Sequence, residues 1–314
     1  MSTVATTRRC PFCDAAESTP FGIRASAVFV KCRACQSIFQ ALSGEEFDQL
    51  HVEAFSDESF VSGVTGALGE GPDRRTWGEL QPFLPGSTYL EIGPGSGHLL
   101  AAAREAGRTV SAVESSDVHR SFIRRTWDID TVYPSFDEIP ESATFDGIVA
   151  MNTLEHVYSI DSFLSAVRAR LAPKGVFLLS TVNPAALSAK LVRTYWSMCK
   201  PLDHVSFPSA QGLRTASLQA GLSVQKIWYS ELPLETPISV VVAARDYVRS
   251  RRSGTLDAGA GGAPSSEPGS VASGGIGGKA ISLIFDKGRG IDPTSWALGR
   301  VGMATMIKAT LVRA

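Results

Sequence analysis

Four of the five cysteines in this 314-residue chain fall in two pairs, Cys10-Pro11-Phe12-Cys13 and Cys32-Arg33-Ala34-Cys35, with eighteen residues between them. Two thiolates spaced this way can converge on one ion from a tight turn, and a gap of roughly 15 to 20 residues between such pairs is that of a four-thiolate zinc site. Four sulfurs at about 2.3 Å close a tetrahedron that leaves no position for water, so the expected zinc is structural. Disulfides or a redox pair are the other uses of such cysteines. Disulfides suit an exported chain, and the start MSTVATTRRCPFC lacks the apolar stretch of a secretory signal. Val28-Phe29-Val30 leads into the second pair as a strand would. So short a segment buries too little surface to fold without its metal. Cys199 is unpaired and reads as an ordinary buried thiol.

A second constellation is Glu91-Ile92-Gly93-Pro94-Gly95-Ser96-Gly97, which follows an apolar strand and opens a helix. Glycines at 93, 95 and 97 let the backbone turn sharply and approach a ligand, while the first amides of the helix can meet a negative group. Glu114 ends the next strand, where a carboxylate can accept both hydroxyls of a ribose. The spacing is GxGxG rather than the GxGxxG of dinucleotide sites, and the acid two positions before the first glycine would repel a pyrophosphate. Glu91 could instead hold an ammonium group, directly or through water. A ligand that carries both an ammonium and a ribose is S-adenosylmethionine (SAM), with a nicotinamide dinucleotide as the weaker reading.

The elements that must position these groups alternate from about residue 87. TYLEIG, TVSAVE, a short strand near 130–133, FDGIVAMN and GVFLLSTV read as strands, separated by helices at 97–106, 118–126 and 160–171, the last ended by Pro173. A helix at 208–220 closed by Gly221, a strand LSVQKIWYS, a helical pattern at 238–252 and a final strand in MATMIKATLV complete the series. The expected class is α/β: a Rossmann-like, mostly parallel sheet with helices on both faces and an antiparallel final strand, plus a small zinc ribbon before it. We expect the ribbon at residues 1–45, a helical lid or connector at 46–80, and the sheet domain at 81–314. Residues 253–279, rich in Gly, Ser, Ala and Pro, form a flexible insertion in that domain.

These residues resemble a family. YLEIGPGSGHLL is similar to the glycine-rich signature of the class I SAM-dependent methyltransferases, VESSD to their second acidic motif, and FDGIVAMNTLEHV with LAPKGVFLLSTVNP to their fourth and fifth strands. The likeness spans roughly residues 75–231, and the cysteine head resembles the zinc ribbon that a subset of these enzymes carries. It implies that Glu91, Gly93, Gly95 and Gly97 line the methionine end of SAM and that Glu114 takes the ribose. Ser135 and Phe136 fall near the adenine, and Asn152 faces the cofactor. The subset acts mainly on small metabolites, so the implied acceptor is a sugar, a glycan or lipid precursor or a secondary metabolite. In quinone-pathway O-methyltransferases that resemble this stretch, Glu, two spacers, Glu and His hold a divalent ion; in MNTLEHV the first of those positions is Asn152.

The sulfonium carbon is already electrophilic, so a base is needed only for a hydroxyl or a carbon acid. His156 and His204 fall in loops after the fourth and fifth strands, where ligands of open α/β sheets bind, and are the candidate catalytic residues. Phe55, Phe60, Tyr195 and Trp196 read as packing or as an acceptor wall, and Arg245, Arg249, Arg251 and Arg252 as a solvated helix end or an anion handle. Thirty Lys plus Arg against thirty-one Asp plus Glu leave a formal charge of -1, which argues against nucleic acid as the main partner. Five basic and two acidic residues among the first forty keep an RNA methyltransferase as the alternative, and a SAM-binding scaffold without catalysis as a third. No apolar run reaches the length of a membrane span, so the expected location is cytoplasmic. The acceptor atom and the oligomeric state are not legible in the sequence.

Overall fold

The computed structural model describes residues 8–55, 71–201, 203–230, 240–241, 243–244 and 293–314, with the side chains of all but 50–55 and 293–296. Strands β1 (Ser18–Arg24), β2 (Ala27–Cys32) and β3 (Ile38–Gln40) come first, then helices α1 (Gly44–Phe55) and α2 (Arg74–Leu80). The alternating region follows: β4 (Thr88–Ile92), α3 (His98–Glu105), β5 (Thr109–Val113), α4 (Asp117–Trp127), β6 (Val132–Tyr133), β7 (Phe145–Met151), α5 (Ile160–Arg170) and β8 (Leu171–Val182). The chain continues through α6 (Leu187–Val192), β9 (Ser206–Phe207), α7 (Ala210–Gln219), β10 (Leu222–Ser230), α8 (Pro293–Arg300) and β11 (Met306–Arg313).

Seven strands make one sheet in the order β10-β11-β8-β7-β4-β5-β6. Neighbours from β8 to β6 pair in parallel, whereas β11 lies antiparallel to both β8 and β10. The alternation of strand side chains splits the core into two faces. Leu90, Ile92, Ile148, Ala150, Phe177 and Leu179 join one buried cluster, while Tyr89, Val149 and Leu178 join the other. The chain steps from β4 to β5 and β6 on one side, then crosses to β7 on the other, so a crevice opens beyond the carboxyl ends of β4 and β7. Helix α5 ends at Arg170, one residue before the expected 171, and β8 begins at once at Leu171, ahead of Pro173. Pro173 is accommodated where the β7–β8 register slips between Phe145 and Gly147, a place that needs no ladder donor.

The second sheet has the order β1-β2-β3-β9, all antiparallel, so the cysteine-bearing segment completes its sheet with a strand from after β8. Its buried Val30 and Phe39, with Phe12 of the cysteine turn, belong to the same cluster as Ile92, Ile148 and Phe177 of the larger sheet. Arg8, nearly fully buried, donates to the carbonyls of Gln40, Tyr158 and Val205 and stacks 4.1 Å from the centre of the Tyr158 ring. Of the helix expected at 238–252, residues 240, 241, 243 and 244 are described, and they are helical. The stretch 253–279, Phe60 and the arginines at 245, 249, 251 and 252 lie outside the described residues.

Candidate functional site

The turn from β4 to α3 holds Gly93, Gly95 and Gly97 at φ of 65°, 53° and 75°, a left-handed run that side-chain-bearing residues resist. At Gly93 a Cβ would also stand 2.8 Å from the Thr153 hydroxyl oxygen, and at Gly97 2.9 Å from Ile123. Trp127 pins the turn by donating its indole N–H to the Ser96 carbonyl at 2.7 Å. Beside the turn lies a cavity of about 580 Å³ with Phe47, Gly93, Glu114, Phe136, Thr153 and His156 among its walls. Glu114, buried at the end of β5, accepts the Ser116 backbone N–H at 2.9 Å through one oxygen, and its other oxygen lies 3.6 Å from His119 Nδ1.

Glu91 shares the face of Tyr89, not that of Leu90 and Ile92, and is buried beneath the turn rather than being part of the cavity wall. Tyr89 donates its hydroxyl to Glu91 at 3.4 Å. Burial, with the negative charges of Asp73 and Glu114 nearby, pushes the Glu91 carboxyl up to about 8. Phe136 lines the cavity, while Ser135 precedes it at the start of the short turn 136–138. Asn152 is exposed with φ 53°, and its backbone N–H is tied to the Ser180 carbonyl.

His156 and His204 are brought together from two loops, with their rings edge to face at 4.7 Å between centroids. Nδ1 of His156 lies 2.9 Å from the Asp203 carbonyl oxygen, and Nδ1 of His204 lies 2.8 Å from that of Met198. A carbonyl oxygen can only accept, so in each ring Nδ1 carries a proton, and the neutral ring has its lone pair on Nε2. The two rings differ in access. His156 lines the cavity, whereas His204 is 3% exposed and is held neutral, because burial and the nearby His156 and Lys200 push its ionisation well below the usual range. Adjacent Glu155 is buried and accepts from the Thr181 hydroxyl at 2.7 Å, and its desolvation raises its ionisation above the ordinary carboxyl value. One donor atom from each of Glu155, His156 and His204 lies within 4.8 Å of the others, close enough to share an ion.

In the amino-terminal segment the sulfurs of Cys10 and Cys35 lie 3.6 Å apart, as do those of Cys13 and Cys32, and all four fall within 4.8 Å of one another. A tetrahedron with sulfurs about 2.3 Å from its centre has edges near 3.8 Å, so the four thiols fit a zinc ion. Cys199 is fully buried, and burial pushes its thiol up to about 12, which fits an unreactive core residue.

Residues 72–227 match the family described as "Methyltransferase domain". This chain belongs to the SAM-dependent methyltransferases. It is 25% identical over 196 residues to a ubiquinone biosynthesis O-methyltransferase of Paraburkholderia xenovorans, covering 55% of this chain and 84% of that protein. It is 29% identical over 112 residues to a protein of the same name from Paramagnetospirillum magneticum, covering 34% of this chain and 45% of that one. A solved SAM-dependent methyltransferase of Mesorhizobium loti aligns with 76% of this chain and 97% of its own at 15% identity and a TM-score of 0.45. As a methyltransferase the chain uses SAM as its methyl donor.

Three features of this cavity and the loops behind it escaped sequence reasoning. Thr153 donates to the Ile92 carbonyl at 3.0 Å and thereby clamps the end of β4 to the loop after β7. Phe47 of α1 stacks on Tyr158 at 5.2 Å and forms part of the cavity wall, a place for which the sequence offered Phe55, Phe60, Tyr195 and Trp196 as candidates. Trp196, one of those aromatics, is instead fully buried against Phe207, and Tyr195 lines a different cavity. The third is Gln40, buried in β3, whose amide donates to the carbonyls of Pro201 at 3.0 Å and His204 at 2.8 Å. Only the S/T-x-x-E pattern Ser43-Gly44-Glu45-Glu46 hinted at where α1 starts, and it does form a reciprocal cap there.

Proposed function

We propose that this methyltransferase acts on a small-molecule acceptor, a sugar, a glycan or lipid precursor or a secondary metabolite, and that His156 removes the acceptor's proton. The observation that carries the reading is that His156 shares one cavity with Gly93 and Glu114. Bound SAM supplies an electrophilic methyl group on a sulfonium. In this reading Glu114 accepts the ribose hydroxyls, Phe136 covers the adenine, with Ser135 beside it, and Asn152 borders the cofactor. The turn at Gly93, Gly95 and Gly97 admits the methionine end, whose positive ammonium favours Glu91 in its ionised form, the carboxyl proton leaving to solvent. His156 receives the acceptor proton at Nε2, and the resulting imidazolium is steadied by the Asp203 carbonyl at Nδ1 and the Asp203 carboxylate about 4.0 Å away. His204 stands behind His156 as a positioning residue. The experiment is a radiolabelled-methyl transfer screen over cell extracts, with mass spectrometry of the labelled product. Label appearing only in RNA would replace the small-molecule acceptor. SAM binding without any labelled product would leave a scaffold.

A second reading follows from the closeness of Glu155, His156 and His204, in which a divalent cation held there orders the acceptor oxygen. The base mechanism predicts a rate indifferent to added magnesium or manganese, the metal mechanism a saturable rise. We further propose that zinc on Cys10, Cys13, Cys32 and Cys35 is structural, that residues 1–45 form the ribbon, 46–80 the connector and 81–314 the catalytic domain, and that the protein works in the cytoplasm. No helix among the described residues is long and apolar enough to cross a membrane.

A further inference from the structure

A second cavity, of about 1040 Å³, lies between the ribbon and the larger sheet, its walls contributed by β1, the end of β2, the turn after β8 and α6. Among the described residues, Lys31, Arg33, Lys190 and Arg193 line it, and no aspartate or glutamate does. In a chain with thirty basic and thirty-one acidic residues, four cations without an acid on one concave surface are not a consequence of composition. The side-chain ammonium groups of Lys31 and Lys190 make no hydrogen bond or ion pair among the described residues. Arg33 has only a solvent-exposed contact at 3.5 Å with Glu17, of the kind that contributes little.

Arg193 is fixed differently. Its Nε donates to the Phe21 carbonyl at 3.0 Å, and the guanidinium stands 5.1 Å from the centre of the Phe21 ring. Its backbone sits at φ 50°, an uncommon conformation for a residue with a Cβ and one that tends to persist where a site needs it. Apolar Phe21, Ile38 and Ala189 complete the walls. One carboxylate is satisfied by one guanidinium, whereas four converging cations match a group bearing two or more charges, and the volume suits a ligand much larger than the anion itself. The cavity opens past the carboxyl end of β8, next in the sheet to β7, from whose end His156 approaches the other cavity.

We propose that this cleft binds a phosphoryl or diphosphate group carried by the methyl acceptor, with Lys31, Lys190, Arg33 and Arg193 as its counter-charges. The proposal rests on the small-molecule reading above and narrows the acceptor to a phosphorylated one. Calorimetric titration of the full-length, zinc-loaded protein with pyrophosphate tests it directly, with SAM titrated into the same samples. Binding that weakens as salt is raised is expected, and Lys190→Gln and Lys31→Gln should each weaken it about tenfold, with SAM affinity and melting temperature unchanged. Lys190 is exposed, so its substitution leaves folding intact even if Lys31, beside Cys32, does not tolerate change. No pyrophosphate binding at millimolar concentration, or equal affinity in Lys190→Gln, overturns the proposal, as does tighter binding of an RNA oligonucleotide that depends on the same lysines. Lost SAM binding with pyrophosphate binding intact would instead remove the catalytic reading and leave the anion site.

Discussion

A carboxyl buried beneath the turn proposed to admit the methionine ammonium would report on that ligand through its proton. Glu91 is pushed up to about 8, so at pH 7 the unliganded protein holds it mostly protonated. An ammonium arriving beside it favours the ionised form, so SAM binding should release close to one proton. Titration at pH 7 in two buffers of different ionisation enthalpy measures that release, and Glu91→Gln should abolish it. The same residue shapes the stability of the unliganded protein. Between its unfolded value near 4.5 and about 8 the folded state holds a proton that the unfolded state lacks, so its contribution to stability falls as pH rises through that window. Glu91→Gln should therefore flatten the decline in denaturant midpoint between pH 5 and 8. His156→Ala should lower kcat by on the order of 10²–10⁴-fold at unchanged SAM affinity for a hydroxyl acceptor, while His204→Gln, touching no substrate, should cost less and shift the pH profile. Glu114 and the glycines were legible because charge type and backbone freedom are written locally. Thr153 and Phe47 were not, since each gains its place through a partner far away in sequence, the Ile92 carbonyl and Tyr158.

At the scale of elements, the strands announced themselves through continuous apolar runs, and LSVQKIWYS forms β10 to the residue. What no local pattern announces is β9, two residues long, which completes the ribbon's sheet through Ile38–Phe207 and Phe39–Ser206 pairing. Through it the cysteine-bearing head reaches the candidate base. Gln40 grips the His204 carbonyl, its own backbone N–H is bonded to the Val205 carbonyl, and Val205 N–H donates to the Glu155 carbonyl at 2.8 Å. On the other side, Ser209 caps α7 and its hydroxyl bonds the Cys35 carbonyl, drawing the helix so close that a Cβ at Gly212 would meet the Ser37 hydroxyl at 2.1 Å and Cys35 sulfur at 3.3 Å. Gly212→Val should therefore spread the cysteine knuckle. We expect about 1–3 kcal/mol of lost stability and faster zinc release to a chromogenic chelator, with residual SAM affinity retained because the β4–α3 turn lies elsewhere.

For the whole molecule the question is whether the ribbon and the sheet domain melt as one body or as two. Sequence reasoning separated them because a short cysteine-rich segment followed by alternating strands reads as a head and a body. The contacts run the other way. Phe12, Val30 and Phe39 share a buried cluster with Ile92, Ile148 and Phe177 of the large sheet, while Phe21, Phe29 and Ile38 share another with Val182 and Met306 of that sheet, so both faces of the small sheet join buried clusters of the large one. Free energy from a metal that binds only the folded ribbon is then available to the entire structure, because the ribbon cannot unfold without exposing both clusters. Scanning calorimetry of the zinc-loaded protein should show one transition, and stripping the metal should move that whole transition to lower temperature. A low-temperature shoulder that appears on chelation while the main peak stays in place would mean that the head melts alone, and the path from the cysteines through Gln40 to His204 would then carry no mechanical weight.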